Sequence, residues 1–248
     1  MLLAVTSASA VFAMDLQVYC EVTGRSAMVH NKELTGWGVE IVQEIMARTG
    51  SQTRIEPLPW ARAFDTVLNT PNTALFSTTL TEERDRQFHW VGPFVRLQWI
   101  FIARKDSGIV INSLEDAKKV GSIGTYIEDA RDRFLLQNGF LNLDRSTSNV
   151  ANYRKLMRGR LDLVAATPIG VVETAEEAMV DIADLEVAYV IKEMDLYLAI
   201  NKDSDPEVVQ AWKEAFVSMQ KDGTFAAIFS KWHPGQTVPM DIRRPWAD

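Results

Sequence analysis

The sequence predicts an α/β protein built as two lobes that share strands. From residue 15 onward, short apolar runs alternate with helical patterns. Two strand-helix blocks of comparable size follow one another, and neither a flexible linker nor a low-complexity tract separates them. With 248 residues, 47% hydrophobic and 24% charged, the chain is long and apolar enough to bury a real core.

In order, "LQVYCEV" reads as a strand, and "GVEIVQEIMARTG" as a helix with Val42, Ile45, Met46 and Thr49 on one face and Gly50 as its stop. "TRIEPLPW" reads as a second strand, "ARAFDTVLN" as a helix, and "TALFSTT" as a third strand ending in Ser77, Thr78 and Thr79. "WIFIARK" is a strand, and "SLEDAKK" a short helix capped by Ser113 with Asp116 three residues on. "VGSIG" is a strand that leads through Gly124 into a helical "TYIEDARDRFLLQNG". "NYRKLMRG" is a helix; "RLDLVAAT" is a strand whose Thr167 and Pro168 start the helix "IGVVETAEEAM". "LEVAYVI" and "DLYLAIN" read as two neighbouring strands. In "SDPEVVQAWKEAFVSMQKDG", Asp205 caps, Pro206 takes the first turn, Trp212, Phe216 and Met219 form the buried stripe, and Gly223 ends the helix before a last one, "TFAAIFSKW".

Composition narrows the function. A formal charge of −7 with scattered Lys and Arg argues against nucleic acid, which demands a basic face. One cysteine, Cys20, excludes an internal disulfide, and three separated histidines (His30, His89, His233) show no zinc-ligand spacing. The expected partner is a small solute or a protein, with no cofactor or metal. "MLLAVTSASAVFAMDLQ" reads as an export signal cleaved after Ala13, although no positive residue precedes its apolar run; the alternative is a first buried strand. Nothing else approaches the roughly 18 apolar residues of a membrane span, so a soluble, extracytoplasmic mature protein is expected.

Arg84 follows the carboxyl end of a predicted strand, where open α/β sheets bind ligands. On the residues alone it is either a solvated partner of Glu82, Glu83 or Asp85, or a forked clamp for a carboxylate. Ser77 and Thr79 share one side of that strand, either as turn formers or facing a ligand. Gly124 and Thr125 form either an ordinary strand-to-helix turn or an anion site of free backbone N–H groups. Trp60 is either a flat cleft wall or a core side chain.

"LTGWGVEIVQEI", "STTLTEER" followed by "FHWVGPF", "VGSIGTYIED", "GRLDLVAAT" and the stretch from Asn201 to Trp232 stand in an order that resembles the periplasmic solute-binding proteins for polar amino acids, the binding subunits of ABC-type importers. The resemblance spans essentially the whole mature chain. It implies a two-lobed periplasmic-binding-protein fold of type II, with two crossover segments and a ligand cleft that closes by a hinge. Lobe 1 would be residues 14–95 and 193–248, lobe 2 residues 96–192, with crossovers near Phe94 to Arg96 and Lys192 to Met194. It implies a monomer that hands a small polar solute to a membrane permease. It also implies that Arg84 binds the ligand's carboxylate, with Ser77, Thr79, Gly124 and Thr125 around it and Glu21 as a side-chain reader. One departure stands out: amino-acid binders carry an aspartate where this chain has Thr167, so the ligand's α-amine is in question. Two other classes stay open. A dehydratase of the cyclohexadienyl or arogenate type on this scaffold would need Glu21 or Glu128 as general acid; a ligand-sensing module would need a membrane partner.

Overall fold

Two strands of 17 residues each, Phe88–Arg104 and Leu185–Asn201, run antiparallel beside one another through the molecule. The computed structural model describes residues 15–235 and 237–239; the expected signal segment 1–13 lies outside them. At ~3.3 Å per residue such a strand is roughly 55 Å long, enough to leave one lobe and enter another.

The strands in chain order are β1 (Gln17–Cys20), β2 (Met28–His30), β3 (Glu33–Thr35), β4 (Ile55–Pro57), β5 (Thr73–Thr79), β6 (Phe88–Arg104), β7 (Ile123–Tyr126), β8 (Leu143–Ser146), β9 (Leu163–Ala166) and β10 (Leu185–Asn201). The helices are α1 (Trp37–Thr49), α2 (Trp60–Asn69), α3 (Glu82–Asp85), α4 (Leu114–Ala117), α5 (Ala130–Gln137), α6 (Asn149–Met157), α7 (Pro168–Ala178), α8 (Pro206–Asp222) and α9 (Thr224–Trp232). The main sheet runs β4-β1-β5-β10-β6-β9-β7-β8. β1, β4 and β5 are mutually parallel, as are β7, β8 and β9, and the two long antiparallel strands stand between these sets. β5 pairs with one end of β10, and β9 with the far end of β6, so each lobe owns half of the long pair.

Each lobe buries its own core. In lobe 1, Ile41 and Ile45 of α1 pack with Trp212 and Phe216 of α8 and Phe225 and Phe229 of α9. On the opposite face, Ala63 and Val67 of α2 meet Leu75 and Tyr197. Lobe 2 packs Phe101, Ile123, Leu135 and Leu163 on one face and Ile102, Leu156, Val164 and Val171 on the other. Each fully buried side chain of this size contributes about 1.5–3 kcal/mol. Cys20 is completely buried, and that burial pushes its thiol up to about 12, so it stays protonated and inert.

Several boundaries differ from the sequence reading. "TRIEPLPW" is extended only over Ile55–Pro57, because Pro59 caps a helix that already begins at Trp60. "LEVAYVI" and "DLYLAIN" are one strand. The polar Lys192 between them does not break it, since its stem lies over Phe134 with Nζ 4.1 Å from the ring centroid. "WIFIARK" is likewise the end of β6, whose start in "FHWVGPF" escaped prediction. Strand β7 runs to Tyr126, and its helix opens only at Ala130, where Asp129 accepts the Arg131 N–H as the cap. Residues 94–96 and 192–194 lie midway along β6 and β10. Beside them Arg96 grips Asp195 across the pair through Nε and Nη2, at 2.8 and 3.1 Å.

His233 gives lobe 1 a pH dependence. Its ring packs 4.9 Å from Phe229 and 5.7 Å from Trp37, and burial, then the Arg25 charge, push it down to about 4. Folded His233 therefore stays neutral where the unfolded residue, near 6.5, takes a proton. This contribution to stability is complete above about pH 6.5 and is lost as pH falls toward 4. Urea unfolding at pH 7.5 and 4.5 should show the wild type losing roughly 1–2 kcal/mol more than His233→Phe, allowing for solvent screening. Equal losses would refute this source of the dependence.

Candidate functional site

The carboxyl ends of the parallel strands of both lobes converge on one cavity of about 340 Å³. Glu21 follows β1, Ser77 and Thr79 close β5, Tyr126 closes β7, Ser148 follows β8 and Thr167 follows β9, and all six line it. Strand ends gather there because every crossover leaves its loop at that edge of the sheet.

Ser77 is held in the left-handed region at φ 59, at a bulge where Phe76 and Ser77 together face Leu198 of β10. A non-glycine residue there costs roughly 1 kcal/mol, a price met at positions that re-aim a side chain. The Ser77 hydroxyl hydrogen-bonds to that of Ser26, and Ser77 and Thr79 face the same cavity. Trp60 forms a wall: its backbone N–H donates to Glu21 Oε1 at 3.1 Å and its ring stacks on Phe64. Thr167 caps α7, accepting from Gly170 N–H at 3.1 Å.

Arg84 stands elsewhere. It is 4% exposed and lies behind the Trp60 wall, outside the cavity lining, with its guanidinium 4.5 Å over the Phe64 ring. Nη1 donates to Thr79 O at 3.5 Å and Nη2 to Glu128 O at 3.3 Å. Burial pulls this guanidinium down to about 10, so it remains charged at neutral pH. Gly124 and Thr125 also differ from the expected helix-start geometry, since both sit inside β7. A Cβ on Gly124 would come 2.6 Å from Leu161 Cδ1, so the glycine serves close packing. The Thr125 hydroxyl donates to Asp132 at 2.7 Å, and its carbonyl accepts from Asn152 Nδ2 at 3.0 Å.

The lobes touch across the cavity rim. Glu128, left-handed at φ 64, presents one carbonyl to both Arg84 and the Trp60 indole N–H, the latter at 3.2 Å. Tyr126 OH donates to Glu21 Oε1 at 2.6 Å. Arg25 N–H donates to Glu173 Oε1 at 2.6 Å, beside Gly24, where a Cβ would lie 1.6 Å from Oε2. The carboxylate of Glu128 itself turns away to Arg133 and Arg145 and does not line the cavity.

Charge inside is uneven: Glu21, Asp129, Glu173 and Glu177 face one cation, Arg131. Burial raises the carboxyls of Glu21 and Glu173 above the usual range, while Arg131 outweighs burial at Asp129 and holds it low. The sequence reading missed Tyr126, Arg131, Tyr153 and Glu173. For Glu173 and Glu177 a signal existed, since they share a face of α7 four residues apart. Among the described residues no group of His, Cys, Asp and Glu is arranged to hold a metal, and no helix is long and apolar enough to cross a membrane.

A two-lobed sheet protein with strand ends of both lobes meeting around one cleft has the layout of a ligand-binding protein. The chain belongs to the bacterial extracellular solute-binding proteins, family 3, whose profile matches residues 23–235. Members of this family are amino-acid-binding components of ABC transporters. The L-cystine-binding protein TcyJ of Escherichia coli K12 is 24% identical over 213 residues, 81% of this chain and 74% of that protein. Holo ArgBP from T. maritima superposes with a TM-score of 0.71 at 20% identity, covering 88% of this chain and 95% of that one. A histidine kinase sensor domain similar to periplasmic binding proteins reaches 0.78 at 19% identity, covering 91% and 98%.

Proposed function

We propose that this protein captures a small, polar, carboxylate-bearing solute in the chamber between its lobes and delivers it to an ABC-importer permease. One observation carries this reading: a cleft of about 340 Å³ at the meeting of strand ends from both lobes, with contacts bridging its rim. Residues 15–95 and 193–239 act as lobe 1 and residues 96–192 as lobe 2, hinging where the long strands pass between them. Trp60, Ser77 and Thr79 receive the solute on lobe 1, and Thr167 meets it from lobe 2. Glu21 and Tyr126 then close the rim. Arg84, Gly124 and Thr125 shape the walls and hold the closed form.

Thr167 supplies no counter-charge for an ammonium, but Glu173 on the same helix does, and its carboxylate accepts only the Arg25 N–H among the described residues. An amino acid or related zwitterion therefore suits the chamber, whose carboxylates outnumber its guanidinium. The protein acts without catalysis or cofactor, as a monomer in the periplasm, after loss of residues 1–13.

A thermal-shift screen of L-amino acids, L-cystine, small carboxylates and amines tests this. A solute at a hundred times its Kd stabilises the fold by about 2.7 kcal/mol, raising Tm by several degrees. No shift from any of them would count against capture. Conversion of the hit to product on incubation would instead favour a dehydratase using Glu21.

A further inference from the structure

The family resemblance led to Arg84, but a different guanidinium is open to the chamber. Arg131 stands in the first turn of α5 and lines the cavity with a side chain 16% exposed. Asp129 fixes it by accepting both its backbone N–H, at 2.9 Å, and its Nε–H, at 2.6 Å. Its two Nη groups make no hydrogen bond among the described residues, so a forked pair of donors is presented with its orientation already set.

Two neighbours make the same offer. Tyr153 is 2% exposed, yet its hydroxyl has no hydrogen-bond partner among the described residues, and the residue lines the same cavity. A buried hydroxyl left unpaired is destabilising, and a bound acceptor would relieve that cost. The amino end of α6 reaches the cavity through Ser148, Asn149 and Val150. Ser148 caps the Ala151 N–H at 3.1 Å, while the N–H groups of Asn149 and Val150 have no acceptor within the helix.

We infer that Arg131, the Tyr153 hydroxyl and the first turn of α6 form the seat for the solute's carboxylate, on lobe 2. This rests on the capture reading above and gives it a direction: the carboxylate turns to lobe 2, and the ammonium of a zwitterion turns to Glu173 and Glu21. Beyond Asp129, Glu21 is a further anion acting on Arg131; Tyr126 and Trp60 already hold its Oε1 at the rim.

Calorimetry decides it, using the L-amino acid or small carboxylate that gives the largest thermal shift, paired with its own primary amide. Wild type should favour the acid over the amide. In Arg131→Gln the acid should lose about 100-fold in affinity and the amide little, collapsing the preference. Tyr153→Phe should weaken the acid about tenfold and the amide within twofold, and it decides the matter alone if Arg131→Gln fails to fold. An unchanged acid-to-amide ratio in the folded variants overturns the seat and leaves solute capture standing. A wild type that binds amines but no carboxylate overturns the seat and the carboxylate-bearing part of the capture reading together. A wild type that binds nothing overturns both.

Discussion

Asp132→Ala is expected to lose about 3–5 kcal/mol of stability, the range for removing one member of a buried charged network. Asp132 is 0% exposed, and four groups converge on it. Arg145 donates from Nε at 3.0 Å and from Nη2 at 2.7 Å, Thr125 Oγ1 at 2.7 Å, and Glu128 N at 3.1 Å. Without the carboxylate, the Thr125 hydroxyl and the Glu128 N–H lose their acceptors inside lobe 2, while Arg145, a third exposed, turns to water. Asp132→Asn keeps one acceptor oxygen and should lose about half as much. The damage reaches function because Asp132 pins the left-handed Glu128, whose carbonyl receives both Trp60 and Arg84 from lobe 1. Urea unfolding followed by calorimetry on the folded fraction checks both effects. A loss under 1 kcal/mol would show that the network does not hold this turn.

Arg84→Met should weaken every ligand about tenfold, acid and amide alike, with little change in stability. Methionine fills similar volume against Phe64 and Trp60, and Arg84 donates to the carbonyls of Thr79 and Glu128 without an ion pair among the described residues, so its loss leaves no buried carboxylate stripped of its partner. What disappears is a donor that reaches from lobe 1 to the Glu128 carbonyl of lobe 2, and closure weakens without regard to ligand charge. A loss confined to the acid would return the carboxylate clamp to Arg84, as the family resemblance implies. Calorimetry with the acid and amide pair separates the two outcomes.

The fold was legible where local chemistry is strong. Gly50 and Gly223 stop helices in the left-handed conformation, Asp205 and Pro206 start α8, and Ser113 caps α4, all features that single residues announce. It was illegible where tertiary packing decides. The interruption at Lys192 and Glu193 reads as a strand end, yet the ladder with β6 carries the strand through. The site was half legible for the same reason. Glu21, Trp60, Ser77, Thr79 and Thr167 sit at or just beyond element ends, which sequence marks, and all line the chamber. Arg84 also follows a strand end, but aromatic rings and a carbonyl from the other lobe enclose it, a geometry no local pattern encodes. Arg131 and Tyr153 face inward only because α5 and α6 dock as they do.

Small-angle X-ray scattering of the wild type, with and without the solute that gives the largest thermal shift, tests most directly whether two lobes close over a guest. The account predicts a smaller radius of gyration and a shorter maximum dimension when the solute saturates the protein, with the long β6 and β10 pair as the hinge. Identical scattering curves with and without a solute bound at saturation would contradict capture by closure.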